Sequence, residues 1–154
     1  MASKQYEIAL ATFEKIRAAF PTLTMNLDLR PENVELAMDI LAQSGLLFCV
    51  YLNLQNRDEL HLNASRLWVS WFPCTKPEKA NHYFEAVCGL LSGRLRILEQ
   101  WRGRRVVKAQ LQSPSQDGWK PVATSADLSI LLPWPRKKLR VVQNIPCPVE
   151  AGFR

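Results

Sequence analysis

Gly93-Arg-Leu-Arg-Ile-Leu-Glu-Gln-Trp-Arg-Gly-Arg-Arg-Val-Val-Lys-Ala-Gln-Leu-Gln112 alternates apolar and polar residues on both sides of Arg102-Gly103. That is the pattern of two half-buried strands joined by a tight turn. The loop length follows from the alternation. A two-residue loop at Arg102-Gly103 sets Ile97 opposite Lys108, against the pattern. A three-residue loop, Trp101-Arg102-Gly103, restores it and gives Gly103 the left-handed position of a turn with a bulge. Leu98 then faces Val106, Glu99 faces Arg105 as an ion pair, and Ile97 faces Val107. The inner face carries Leu95, Ile97, Val107, Ala109 and Leu111, and the outer face Arg94, Arg96, Arg104 and Lys108. Trp101 and Arg102 stand at the tip.

Outward from this hairpin the chain reads as alternating helices and strands. Residues 4–20 place Tyr6, Ala9, Leu10, Phe13, Ile16 and Phe20 on one helical stripe, stopped by Pro21. Residues 22–29 alternate as a strand. Pro31 opens a second helix with Val34, Ala37, Met38 and Leu41 on its face, closed by Gly45. Residues 46–54 form a strand. Residues 60–72 form another, kinked near Asn63-Ala64-Ser65, central in its sheet and covered on both faces because Trp68 and Phe72 oppose Leu67, Val69 and Trp71. Thr75-Lys76-Pro77-Glu78 has the spacing of a capping box and starts a third helix, ended by Ser92-Gly93. Beyond the hairpin, 119–124 make a strand that Pro121 sends to an edge. Residues 125–132 are ambiguous, 136–142 form a last strand, and the tail from Pro146 is loose.

The order is α-β-α-β-β-α-β-β-β. The expected class is α+β: one domain over residues 1–145, with a mostly antiparallel sheet of about five to seven strands and three helices, and a flexible tail over 146–154. In its count of elements this order is similar to the cone-shaped domains of the nuclear-transport-factor type. That resemblance implies one sheet curled around a pocket, used either for catalysis or for association.

The chain has 154 residues and a net charge of +6. This tilts partners toward anions, either an acidic protein or nucleic acid. No RNP motif, GXXG loop, zinc finger or helix-turn-helix spacing accompanies the charge. The start of the chain has no apolar h-region and no apolar run reaches membrane length, so the expectation is a cytoplasmic protein with reduced thiols and no membrane partner. Oligomeric state is left open, a homodimer included.

No catalytic residue, cofactor or metal site is assigned. Cys74 precedes a helix start whose dipole lowers a thiol pKa, but His82 is two turns further on and poorly placed as its base. Asp58, Glu59 and His61 have oxygen and imidazole ligands for a metal, yet a polar turn entering a strand accounts for them. The expected function is a non-enzymatic interaction module that binds through Arg94, Arg96, Trp101, Arg102, Arg104 and Lys108. Nucleic-acid binding through the same face is the alternative. A third reading is a ligand or enzymatic pocket using Tyr51, His61 or Glu99.

Overall fold

Ser3 starts the first helix by accepting the Tyr6 backbone N–H on its hydroxyl at 3.1 Å. The computed structural model describes residues 1–127 and 136–145. Helix α1 (Lys4–Ala19) ends just ahead of Pro21 and buries Ala9, Thr12, Phe13 and Ile16. Helix α2 (Pro77–Ser92) has Pro77 in its first turn and Lys76 as its cap. The capping box expected at Thr75 is not formed. A residue ahead of proline is pushed out of helical conformation, and Lys76 sits at φ −80°, ψ 118°. The helix therefore starts one residue too late for the Thr75 hydroxyl to cap it. Gly93 closes α2 at φ 80°.

Five strands make the first sheet: β1 (Asn26–Asp28), β2 (Leu36–Ile40), β3 (Val50–Gln55), β4 (Glu59–Ala64) and β5 (Leu67–Trp71). They lie side by side in chain order, all antiparallel. The pairing stacks apolar rows on one face, such as Met38, Leu52, Leu62 and Val69. Both helices supply residues to the core on that face, where Phe13, Ile16, Tyr83 and Leu90 fill the space. The opposite face carries Asp39, Tyr51, Asn63 and Trp68 in one row.

Two expectations fail in this sheet. The helix predicted from Pro31 to Gly45 is strand β2, so the described residues hold two helices and not three. The stretch 36–40 carries both periods. Read as a strand, it buries Leu36, Met38 and Ile40 completely; the helical stripe included Leu41, which is 57% exposed. Pairing with β1 and β3 decides for the strand. The kink at 63–65 is a full reversal: Ser65 takes φ 51°, and Ala64 pairs with Leu67. The predicted long strand is therefore two, and β5 is an edge strand, not a central one.

The second sheet contains β6 (Arg96–Arg102), β7 (Arg105–Ser115), β8 (Gly118–Ala126) and β9 (Lys137–Val142), in the order β8-β7-β6-β9. The fold is α+β with two antiparallel sheets instead of the single curled sheet implied by the nuclear-transport-factor resemblance. Pro121 lies on an edge strand, beside a register shift between Leu111 and Gln112. Leu95, Ile97, Ala109 and Leu111 join the same core as the helices. Gly89 makes that junction close, since a β-carbon there would lie 2.5 Å from Leu95 Cγ. After β9, Asn144 fastens the sheets together. Its side chain donates to Gly45 O at 2.8 Å and Leu91 O at 2.6 Å, and accepts from the Leu47 N–H at 3.0 Å. The predicted tail, 146–154, lies outside the described residues. No helix among the described residues is long and apolar enough to cross a membrane.

Candidate functional site

The β6–β7 hairpin has the predicted inner face, with Leu95, Ile97, Val107, Ala109 and Leu111 all buried. Its register is different. The loop is two residues, Gly103-Arg104, with Arg102 opposite Arg105 and Gly103 at φ 61°. A bulge between Gln100 and Trp101 absorbs the extra residue. Glu99 consequently faces Ala109 and not Arg105. The two-residue loop that forms is shifted by one residue from the Arg102-Gly103 loop that the alternation excluded, and the bulge, not a longer turn, brings Ile97 opposite Leu111.

This register divides the six predicted binding residues. Trp101, Arg104 and Lys108 come together on the wall of one open cleft of about 790 Å³. Arg94, Arg96 and Arg102 do not line it. Arg94 lies 3.8 Å from the Glu85 carboxylate, midway along α2. Arg96 stacks on Trp119, with its guanidinium 4.1 Å from the ring centre, and its Nε donates to Gln112 Oε1 at 3.0 Å. Arg102 turns its Nε into a buried position with no hydrogen-bond partner among the described residues.

The other wall comes from a part of the chain the sequence did not implicate. Arg66 and Trp68, from the β4–β5 turn and edge strand, face the hairpin across the cleft, with Ser125 beside Trp68. Trp68 is 59% exposed, not the core residue its neighbours suggested. The signal for it was present: Leu67, Val69 and Trp71 alternate toward the core, which turns Trp68 the other way. Among the described lining residues, Arg66, Arg104, Arg105 and Lys108 stand against one carboxylate, Asp127, which lies 3.8 Å from Arg105.

Both tryptophans are fixed by their indole N–H groups. Trp68 Nε1 donates to His61 Nδ1 at 2.7 Å. An indole nitrogen only donates, so His61 carries its hydrogen on Nε2 and gives it to Glu59 Oε2 at 2.8 Å. Glu59 also accepts from the Asn56 side-chain amide at 3.0 Å. That amide first, and then His61, hold the Glu59 carboxyl below its usual range. Trp101 Nε1 donates to Glu99 Oε1 at 3.3 Å. Glu99 is completely buried. Its other oxygen accepts from Ser65 Oγ at 2.8 Å and the Arg66 N–H at 3.1 Å. One buried carboxylate thus clasps the turn of the first sheet to the hairpin of the second and anchors both walls of the cleft. The Arg66 guanidinium lies 5.5 Å from the Trp101 ring centre.

Other candidates resolve differently. Cys74 is buried, and desolvation first, then the nearby Asp58 charge, push its thiol pKa up, opposite to the lowering expected from the helix dipole. The dipole does not prevail because the helix begins at Pro77, beyond Cys74. Asp58 uses its carbonyl to accept the Cys74 N–H at 2.9 Å. Among the described residues no group of three or more His, Cys, Asp or Glu is arranged to hold a metal ion. Tyr51 lies on the outer face of the first sheet near Asp39 and Asp28, and burial followed by those two charges raises its pKa. Tyr51, His61 and Glu99 therefore do not converge on one pocket. No protein-family model matches the chain, and neither a curated protein nor a solved structure shows significant similarity to it.

Proposed function

We propose that this chain is a non-enzymatic interaction module whose binding surface is the cleft between the β4–β5 turn and the β6–β7 hairpin, and that its partner is anionic. The observation that carries this reading is the gathering of Arg66, Arg104, Arg105 and Lys108 around one open cleft with a single carboxylate among the described lining residues. Charges of one sign in a concavity focus potential outward and attract the opposite sign. The side chains best suited to chemistry are engaged elsewhere, which supports association over catalysis. Both ring nitrogens of His61 are committed, Glu99 accepts from three donors, and the Cys74 thiol is buried. The space between helices and first sheet is occupied by Phe13, Ile16 and Tyr83, which gives a ligand pocket there less support.

The test is binding of simple polyanions at low salt, read by tryptophan fluorescence, for the parent and for Arg104→Glu with Lys108→Glu. The expected result is binding that the charge reversal abolishes while the chain stays folded: exposed Arg104 shifts stability little, and half-buried Lys108 accounts for what loss there is. No polyanion binding by the folded parent would refute the reading.

A further inference from the structure

We infer that the partner of this cleft is single-stranded nucleic acid; the inference rests on the anionic-partner reading above and adds what the tryptophans contribute. An acidic polypeptide would need only the four cations. It would gain little from Trp68 or Trp101, because each has already given its indole N–H to a protein acceptor, His61 or Glu99. What remains to Trp68 is an exposed apolar ring in a fixed orientation. A surface tryptophan that cannot offer its polar handle is suited to a partner that uses the ring face. Nucleobases are such partners, since every base has a π-face and stacking needs no hydrogen bond.

The arrangement also separates single strands from duplex. In a duplex the faces of the bases are occupied by their neighbours, so stacking on protein requires unpaired bases. The charged groups fall into place around the aromatic ones. Arg104, Arg105 and Lys108 lie along the hairpin, where phosphates would run, and Arg66 stands beside Trp101 on the opposite wall. Fixed rings lose little conformational freedom when a ligand arrives, so the anchors on His61 and Glu99 favour binding as well as folding. The order of groups is thus a cationic track with a stacking platform on its flank.

The experiment compares three probes on the whole chain: an oligothymidylate of about 12 nucleotides, within the range of single-strand sites, a polyphosphate, and polyglutamate. The oligonucleotide should bind most tightly of the three, and more tightly than a control duplex of equal length. Trp68→Ala should weaken the oligonucleotide about 5- to 150-fold, the loss of one stacked base, and leave polyphosphate unchanged. With four cations engaged, the slope of log K against log salt should be about −3, becoming shallower by about 1.4 in Arg104→Ala with Lys108→Ala. If polyphosphate or polyglutamate binds as well as the oligonucleotide, or if a folded Trp68→Ala binds the oligonucleotide as the parent does, the anionic reading stands and the nucleic-acid inference is overturned. If none of the three binds at low salt, both fail. Should Trp68→Ala not fold, the ranking of the three probes on the parent chain still decides.

Discussion

Glu99→Gln tests whether one buried carboxylate holds the two halves of the cleft together. The substitution keeps shape and volume but replaces one acceptor oxygen with an NH₂ group. If the amide oxygen stays toward Ser65 and Arg66, the NH₂ points at the Trp101 N–H, now 3.3 Å from a carboxylate oxygen. If the amide turns over, the conflict moves to the Arg66 N–H. Either way one donor pair is opposed, which costs about 1–3 kcal/mol, and the surviving bonds lose the extra strength of an ionised acceptor. Arg140 lies 3.9 Å away and is 63% exposed, so its share is small. Against this, the neutral side chain no longer has to be desolvated as an ion. With three protein donors already replacing water around Glu99, we expect the loss to prevail, by about 2 kcal/mol. For a chain of this size that lowers Tm by about 4–8 °C. Urea denaturation at neutral pH measures it. Ser65→Ala combined with Glu99→Gln should be less destabilising than the two added, because the two side chains share one bond. A Gln variant as stable as the parent would refute the argument, since desolvation of the ion would then cancel everything its donors supply.

Three further outcomes are expected. Gly89→Ala should destabilise by about 1–2 kcal/mol although alanine favours helix by about 1 kcal/mol, because the new β-carbon would overlap Leu95; a rise in Tm would contradict the close packing of α2 on the second sheet. In a Cys147→Ser background at pH 8, a thiol reagent should label exposed Cys49 quickly, half-buried Cys88 slowly because burial takes its thiol to about 11, and buried Cys74 only on unfolding. Equal labelling rates in the native protein would oppose this. Glu59 has a folded pKa below its unfolded value, so its contribution is present above about pH 4.3 and is lost as pH falls through the folded value. The acid side of the stability curve should therefore be flatter in Glu59→Gln, and parallel curves would sink the assignment.

Where one periodicity dominated, the sequence was readable. The stripe of α1 and the Gly93 stop of α2 have no competing pattern, and both elements form as expected. Residues 36–40 are different, because Leu36, Met38 and Ile40 satisfy a strand while Val34, Ala37, Met38 and Leu41 satisfy a helix. Nothing local separates the two. The choice is made by β1 and β3, which offer Leu27 and Leu52 as partners for Met38. The reversal at Ser65 was hidden for a related reason. It lacks glycine or proline, and takes its left-handed φ at a serine whose hydroxyl is held by Glu99, distant in sequence.

That same carboxylate marks the limit of what could be read about the cleft. Glu99 is in phase with Leu95 and Ile97 in any register of β6, so the alternation already turned an acid toward the core. A buried acid needs donors. Arg105 was the natural candidate only while the loop was taken as three residues. With the bulge placed, the donors are the Ser65 hydroxyl, the Arg66 amide and the Trp101 indole. Two of these lie in the first sheet's turn, across a separation that no local pattern spans. Trp101, Arg104 and Lys108 could be grouped from the hairpin alone. Arg66 and Trp68 could join them only once an acid on an apolar face was treated as a demand for partners, and followed to the turn that meets it.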